Sequence, residues 1–149
     1  MGVATFPDKH PEAADWDADA RVLAAKAQAG ADFAITQMFF GADDYFRLVE
    51  RASSYGSDIP ILPGVMPVTN VKQIQRMAEL TGVAMPTRVT DRLLAVDGDP
   101  AAVRAVGVEI ATELCDELLT RGAPGIHFIT LNRSTATREV FANLTTHVS

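Results

Sequence analysis

The sequence predicts an α/β protein in which four consecutive βα units form a parallel sheet. Four short apolar segments begin near residues 2, 33, 59 and 125, and helical patterns follow each of them. The first two intervals are about 30 residues long, which suits one strand and one helix. The last interval is roughly twice as long and has room for extra helices. The segment 33–40 is almost continuously apolar, as expected for a parallel strand covered on both faces.

The first half of the chain is predicted as alternating strands and helices. An apolar segment that stops at Pro7 precedes a helix whose first turns are acidic, as the helix dipole favours. The next helix repeats apolar residues at i, i+3, i+4 and i+7. The third strand contains two prolines, each of which removes a ladder donor. The predicted bounds are 2–6, 15–29, 33–40, 43–54 and 59–65.

The second half is predicted to be mostly helical. Thr69 or Asn70 caps a helix that stops at Gly82. Asp99 and Pro100 place a capping carboxylate and a first-turn proline before a long helix. The predicted bounds are helices at 71–81, 87–95, 100–120 and 134–144, with a fourth strand at 125–131.

Two closures of the predicted sheet stay open on pattern alone. One is an open four-stranded sheet with helices on both faces. The other is half of an eight-stranded (β/α) barrel, which normally needs about 250 residues. No low-complexity segment or linker divides the 149 residues, so 1–149 is predicted to be one domain.

Composition excludes several classes of function. Asp and Glu number 19 and Lys and Arg 13, so the net charge of -6 argues against nucleic acid or an anionic membrane as the partner. Cys115 is alone, which excludes an internal disulfide and a zinc site of several thiolates, and it is predicted to be a core residue. Charged residues within 1–12 argue against a signal peptide, and we expect a cytoplasmic protein.

Polar residues at strand ends are the candidates for ligand binding, because ligands bind there in both closures. Gln37 interrupts an apolar strand, and a buried carboxamide without partners costs about 1–3 kcal/mol; neighbouring backbone would satisfy it equally well. Arg133 can clamp a carboxylate or phosphate, or it lies on the surface. The full set at strand ends is His10, Gln37, Thr69, Asn70, Asn132 and Arg133.

Asp19 and Lys26 form a second candidate pair. They are seven residues apart and share one helix face, where they would bind a hydroxyl and a phosphate of a nucleotide or simply face solvent. The sequence has no Walker loop, no Gly-x-Gly-x-x-Gly, no metal-spaced histidines and no nucleophile elbow. We therefore predict no metal site, and a binding site for a flat, polar ligand.

Four segments in register resemble the successive signatures of the methylenetetrahydrofolate reductase family. They are Phe6-Pro-Asp-Lys-His-Pro-Glu-Ala13, Ala34-Ile-Thr-Gln-Met-Phe-Phe40, Pro63-Gly-Val-Met-Pro-Val68 and His127-Phe-Ile-Thr-Leu-Asn-Arg133. The resemblance extends from Val3 to about Leu144, but covers only the C-terminal half of the family's catalytic barrel. It implies the half-barrel closure, with these strands as the fifth to eighth of a (β/α)₈ TIM barrel.

The resemblance also implies an activity. The family is FAD-dependent: NADH or NADPH reduces the flavin, which then converts 5,10-methylenetetrahydrofolate to 5-methyltetrahydrofolate. The substrate-binding residues that it implies are Gln37, Gln73 and Arg133. The flavin-binding residues that it implies are Phe6, His10, Asp19 and Lys26.

Three departures from the family pattern bear on function. Phe6 replaces a tyrosine and lacks its hydroxyl, while Met77 and Ile129 stand where relatives often have aromatic residues. The family's general-acid glutamate belongs to the half that this sequence does not match, so we expect no catalytic residue here. The expectation is a truncated or split half that is inactive alone and pairs with a complementary N-terminal half or self-associates as a homo-oligomer. The alternative is a non-catalytic half-barrel that binds a partner chain or a nucleotide.

Overall fold

The computed structural model describes residues 1–5, 16–82, 85–130 and 135–147. Strands and helices alternate along the chain, with two additional helices between the third and fourth strands. The elements are β1 (Gly2–Thr5), α1 (Trp16–Gln28), β2 (Phe33–Met38), α2 (Ala42–Ser54), β3 (Ile61–Val65), α3 (Val71–Thr81), α4 (Thr87–Leu94), α5 (Pro100–Thr120), β4 (His127–Phe128) and α6 (Thr135–His147).

The four strands form one parallel sheet whose spatial order is the order of the chain, β1-β2-β3-β4. Right-handed crossovers between sequential strands place the helices on the same side of the sheet. A doubly wound sheet would instead reverse its strand order at a switch point. The structure therefore confirms the prediction of consecutive βα units and favours part of a (β/α) barrel over the open, two-sided sheet.

The hydrophobic core lies between the helices and one face of the sheet. One cluster joins α1, α2, α5 and α6 to the strands and includes the buried side chains of Leu23, Tyr45 and Leu118. A second cluster packs α3, α4 and α5 against the segments that follow β2 and β3. It includes the buried side chains of Val68 and Ile74. The two clusters hold the carboxyl ends of the central strands against α3, α4 and α5.

The two faces of the sheet differ in burial. Along β2, Ala34, Thr36 and Met38 are buried, whereas the alternate residues are only half-buried. Since neighbours in register share a face, the half-buried side of β2 continues into β1 and β3 through Ala4 and Leu62. We call this side the open face; it comprises Gly2, Ala4, Phe33, Ile35, Gln37, Leu62 and His127.

Helix caps follow the sequence signals. Asn70 Oδ1 accepts a hydrogen bond from the Gln73 N–H at 3.0 Å, which identifies Asn70 rather than Thr69 as the cap of α3. Asp99 Oδ1 accepts from the Ala102 N–H at 3.2 Å at the start of α5. Within the described residues, no helix is both long and apolar enough to cross a bilayer.

The fourth strand is shorter than the predicted 125–131. Among residues 125–130, which the structure describes, His127 and Phe128 alone pair with β3. The Ile129 N–H donates to the Val65 carbonyl at 2.9 Å, so the backbone of Val65 faces β4. Pro63, two residues earlier, faces the same neighbour and has no N–H to donate, so the ladder lacks one hydrogen bond towards the start of β4.

Candidate functional site

A cleft of about 350 Å³ opens where β3 and β4 end and their following helices begin. We call it the β3–β4 cleft. Its walls are the loop after β3, the first turn of α3, the residues after β4 and the first turn of α6, and Arg104 of α5 completes the lining. This is the end of a parallel sheet at which α/β proteins bind their ligands.

The loop after β3 is held by the close approach of α5. A Cβ added to Gly107 would lie 1.7 Å from the carbonyl oxygen of Val68, so only glycine allows the helix to come this near. Val68 is itself buried. Packing of α5 against this loop therefore fixes one wall of the β3–β4 cleft.

The α3 side of the cleft presents an amide. The Asn70 cap occupies the backbone N–H of Gln73, and the side chain of Gln73 is exposed and lines the cleft. Behind it, Ile74 is buried in the second core cluster. The cap and the core thus fix the first turn of α3, and the carboxamide of Gln73 is placed to bind a polar ligand.

The α6 side presents hydrogen-bonding groups for an oxygen atom. Thr135 and Thr137 lie in the first turn of α6, where backbone N–H groups have no partner within the helix. The hydroxyl of Thr137 is buried and has no hydrogen-bond partner in the described part of the chain. Arg104 pairs with Glu139 at 2.8 Å and joins α5 to α6 beside these groups. The arrangement suits a carboxylate or carbonyl oxygen.

Gln37 lies one strand away from the cleft, as the penultimate residue of β2, and is half-buried. Pairing between β2 and β3 shifts beside it, because Ile35 is opposite Leu62 while Met38 is opposite Gly64. Ile129 connects this part of the sheet to the cleft, because it lines the cleft and also packs close to Gly64 of β3. A Cβ added to Gly64 would lie 3.2 Å from the Cδ1 atom of Ile129.

Two of the three predicted substrate-binding residues are therefore described. Gln37 lies in β2 and Gln73 in α3, which follows the neighbouring strand β3. Arg133 and Asn132 lie outside the described residues. Their segment, 131–134, connects Thr130 to Thr135, and both of these line the cleft.

The predicted flavin-binding residues are largely outside the described part of the chain. This applies to Phe6, to His10 and to the side chain of Asp19. Lys26 is described: its Nζ donates to the Ala4 carbonyl at 3.2 Å and ties the last turn of α1 to β1. One lysine bound to a backbone carbonyl does not form a cofactor site, so the described residues alone do not assemble one for a flavin.

Other reactive groups have structural roles. Burial, with a smaller effect of the Asp116 charge, raises the pKa of Cys115 to about 12, so the thiol stays protonated in the core. Tyr45 donates to the Ile61 carbonyl at 2.7 Å. Among residues 1–5, 16–82, 85–130 and 135–147, no three His, Cys, Asp or Glu side chains cluster as metal ligands would.

Sequence reasoning did not identify Arg104 or Thr137 as cleft residues. Arg104 reaches the cleft only because α5 folds back against the β3 loop, which is a tertiary contact without a local signal. Thr137 had a local signal, since a threonine in the first turn of a helix that follows a parallel strand lies at the ligand-binding end of the sheet.

Comparison with known proteins agrees with this geometry. The family profile described as methylenetetrahydrofolate reductase matches residues 1–145. A 5,10-methylenetetrahydrofolate reductase of Pectobacterium carotovorum is 40% identical over 134 residues, which are 90% of this chain and 45% of that protein. A probable methylenetetrahydrofolate reductase (NADPH) of Caenorhabditis elegans is 39% identical over 97% of this chain and 22% of its own length. The chain thus spans less than half the length of these relatives.

A solved structure supports the fold. A Clostridium thermocellum protein that binds two copies of 5-methyl-5,6,7,8-tetrahydrofolic acid superposes with a TM-score of 0.62 at 18% identity. The match covers 99% of this chain and 54% of that one. With a profile match over nearly its whole length and close to 40% identity to reductases from bacteria and a nematode, the chain belongs to the methylenetetrahydrofolate reductase family.

Proposed function

We propose that this chain is the folate-binding half of a methylenetetrahydrofolate reductase barrel. Joined to a complementary half, it takes part in the reduction of 5,10-methylenetetrahydrofolate to 5-methyltetrahydrofolate with NADH or NADPH. The observation that carries the proposal is the β3–β4 cleft, which combines an exposed carboxamide, an apolar wall and a helix N-terminus at the ligand-binding end of the sheet.

The chemistry of a folate suits this cleft. A folate has a flat pterin ring with donors and acceptors along its edge, and a glutamate tail with carboxylates. Met66, Ile74 and Ile129 supply apolar wall, and Gln73 supplies a side chain that both donates and accepts. The first turn of α6 with the Thr137 hydroxyl supplies donors for a carboxylate or carbonyl oxygen. The folate bound by the Clostridium thermocellum protein of similar fold supports the same assignment.

Gln37 and Arg133 complete the proposed substrate site. On the family resemblance, Gln37 contacts the folate and the nicotinamide in turn, and Arg133 lies near the p-aminobenzoyl-glutamate end. The position of Gln37 at the end of β2, beside Gly64 and Ile129, is compatible with a ligand that extends out of the cleft across the sheet. Arg133 lies outside the described residues, and its role rests on the family resemblance; Thr130 and Thr135, which precede and follow its segment, line the cleft.

FAD is part of the proposal, with Phe6, His10, Asp19 and Lys26 as its contacts. The flavin would supply the hydride that reaches the folate. Lys26 would exchange its exposed bond to the Ala4 carbonyl for a phosphate oxygen, which costs little because one hydrogen bond contributes only about 0.5–1.5 kcal/mol.

The proposed partner is a complementary half-barrel that covers the open face. That half would also supply the general acid, whose contribution is typically about 10²–10⁴-fold in rate. It would close the walls that exclude water and align the reactants, which contributes at least as much. The 149-residue chain alone is therefore expected to bind folate weakly and to turn over none.

The binding test compares two glutamines on the same helix. Gln73 lines the β3–β4 cleft, whereas Gln75 lies in a separate groove on the surface of α3. Gln73→Ala should weaken binding of 5-methyltetrahydrofolate by roughly 2- to 13-fold, the value of one hydrogen bond. Gln75→Ala is the matched control and should leave affinity unchanged. Equal effects of the two substitutions would reject the cleft as the folate site.

The turnover test uses the purified chain with FAD, a reduced nicotinamide and 5,10-methylenetetrahydrofolate. Nicotinamide oxidation is followed with and without a complementary half-barrel from a reductase of the same family. We expect oxidation only in the complemented mixture. Robust flavin-dependent turnover by the chain alone would contradict the proposal and would mean that two copies build a working site.

A further inference from the structure

We propose that Thr36 and Gly64 are positioning residues that set the orientation of Gln37. The inference rests on the proposed function, in which Gln37 contacts the ligands. It goes beyond that function because neither Thr36 nor Gly64 is proposed to contact a ligand. The observation behind it is an irregularity of the sheet beside Gln37.

The irregularity has a defined location and the residue count of a β-bulge, and we call it the bulge. Between the pairs Ile35–Leu62 and Met38–Gly64, β2 contains two residues and β3 contains one. Gln37 is one of the two residues on the longer side, so its backbone is not in regular register with β3. A bulge bends its strand and changes the direction of the side chains beside it, and bulges are common next to active sites.

A side chain closes the bulge. The Gly64 N–H donates to the Thr36 hydroxyl oxygen at 2.8 Å, and this bond is buried. Thr36 points to the helix-covered face, where it is 3% exposed. The hydroxyl thus takes the place that a backbone carbonyl of β2 has in a regular ladder. Residue 36 is hidden from any ligand, and its influence on a ligand must pass through its neighbour Gln37.

The bulge also requires a glycine at position 64. A Cβ on Gly64 would lie 2.4 Å from the carbonyl oxygen of Thr36, so any larger residue forces the two strands apart. The same Cβ would meet Ile129 of the cleft wall at 3.2 Å. The absent side chain therefore allows the bulge to pack against β3 and keeps Gln37 near the cleft.

Loss of the Thr36 hydroxyl should loosen the pairing of residues 36 and 37 with β3. In Thr36→Val the shape is kept but the buried Gly64 N–H loses its acceptor. The bulge then loses the bond that closes it, and residues 36 and 37 are free to move relative to β3 while the Gly64 N–H stays without an acceptor. Gln37 follows Thr36 directly in the chain, so its carboxamide would leave its position beside Gly64.

The first experiment needs no ligand and works on the purified chain in any oligomeric state. Hydrogen exchange at the Gly64 amide should be roughly tenfold faster or more in Thr36→Val, because a buried donor is left unpaired. Thr36→Ser keeps the hydroxyl and should restore protection. Thr112→Val is the control, since Thr112 bonds to Val108 within α5, away from the bulge. Unchanged exchange in Thr36→Val would overturn the proposal.

The second experiment connects the bulge to ligand affinity through a double-mutant cycle. Thr36→Val should weaken binding of 5-methyltetrahydrofolate several-fold when Gln37 is present, and should have no further effect in a Gln37→Ala background. Thr36→Ser should bind as the unsubstituted chain does. An equal loss in both backgrounds would show that Thr36 acts by another route and would overturn the inference.

Failure of the proposed function gives a different result. If Gln37→Ala alone leaves folate affinity unchanged, the ligand contact assigned to Gln37 is wrong. Exchange at Gly64 then still decides whether Thr36 holds the bulge. If Gln37→Ala weakens binding while Thr36→Val does not, the ligand contact stands and the positioning role is rejected.

Discussion

The two faces of the sheet are built from similar residues but have different surroundings. The helix-covered face packs Ala34 and Met38 of β2 against helices and leaves them at most 2% exposed. The open face presents Phe33, Ile35 and Leu62, which are as apolar but remain half-buried. Apolar side chains on adjacent strands form a contiguous patch, and such patches mark surfaces that another element covers. The open face is thus consistent with the inner side of a sheet that is part of a (β/α) barrel.

The comparison also places the candidate site at the border between the faces. Thr36 points to the covered face and Gln37 to the open face, although they are adjacent in the chain. The support comes from a buried hydrogen bond and two close approaches, which involve Thr36, Gly64 and Gly107. Gln37, which we propose contacts the ligand, lies on the open face. The contacts on the covered side therefore fix the backbone on both sides of Gln37 without any contribution from the open face.

The largest expected difference is between two leucines. Leu118 lies in the core of the covered side and is 0% exposed, whereas Leu62 lies on the open face and is half-buried. Leu118→Ala should lower the free energy of unfolding by about 2–5 kcal/mol, through lost burial and the cavity left behind. Leu62→Ala should cost less than about 1.5 kcal/mol, because much of that side chain stays in water. Urea unfolding of both variants measures the difference.

A complementary half-barrel should reduce the difference in stability cost between Leu62→Ala and Leu118→Ala. When it covers the open face, the cost of Leu62→Ala should rise towards that of a core leucine, while that of Leu118→Ala stays constant. Equal costs for the two leucines in the chain alone would show that the open face is already covered.

Two glycines give the next contrast. Gly107→Ala brings a methyl group into the Val68 carbonyl and should destabilise by about 1–3 kcal/mol. A glycine-to-alanine change within a helix normally gains about 1 kcal/mol, so a net loss identifies the clash. Gly125→Ala is the control on the open side, because its Cβ would make only an ordinary contact of 3.5 Å with Leu62. Thermal or urea unfolding that ranks the two variants equally would contradict the close approach of α5.

The fold was predictable where local signals agree. The βα alternation, the caps at Asn70 and Asp99 and the four parallel strands follow from apolar runs, capping residues and glycines close to each other in the chain. The closure was not predictable from pattern, since both sheet types use the same units. The start of β4 was placed too early because Pro63, which removes a ladder donor there, is far from it in the chain.

The candidate site was predictable only in part. The amides Gln37 and Gln73 could be found from strand ends and from the family resemblance, and both are described at the expected end of the sheet. The support beneath them could not be found, because the bond from Gly64 to Thr36 joins residues 28 positions apart. The contact of Gly107 with Val68 likewise has no local signature. The ligand-binding roles of all seven predicted residues stay predictions: Phe6, His10, Asp19, Lys26, Gln37, Gln73 and Arg133.

Alkaline pH should lower the free energy of unfolding, because the core contains the buried thiol of Cys115. Burial raises the pKa of Cys115 from an ordinary value of 9.0 to about 12. Above pH 9 the unfolded chain releases this proton while the folded chain keeps it, so stability is full below pH 9 and falls as the pH rises towards 12. The loss is at most about 1.4 kcal/mol per pH unit. In Cys115→Ala this part of the slope should vanish, and parallel pH profiles of the two proteins would reject the assignment.

The smallest expected effect on unfolding comes from a substitution that tests the open face directly. Ile35 lies in the middle of that face and pairs with Ala4 and Leu62 on either side. Ile35→Lys should change the free energy of unfolding by less than about 1 kcal/mol, because a lysine stem packs on apolar surface while its ammonium stays in water. Its effect on association should be much larger.

Association is the property that this substitution should change. The unsubstituted chain should form dimers or larger species, since an apolar sheet face and the edge strands β1 and β4 promote self-association. Ile35→Lys should shift it towards monomer in sedimentation velocity. Leu80→Lys is the control, because Leu80 is 71% exposed on α3, away from the sheet. It should leave the distribution unchanged if the open face is the contact. A monodisperse, cooperatively unfolding monomer before any substitution would remove the basis of the comparison, because such a chain would have no face left to cover.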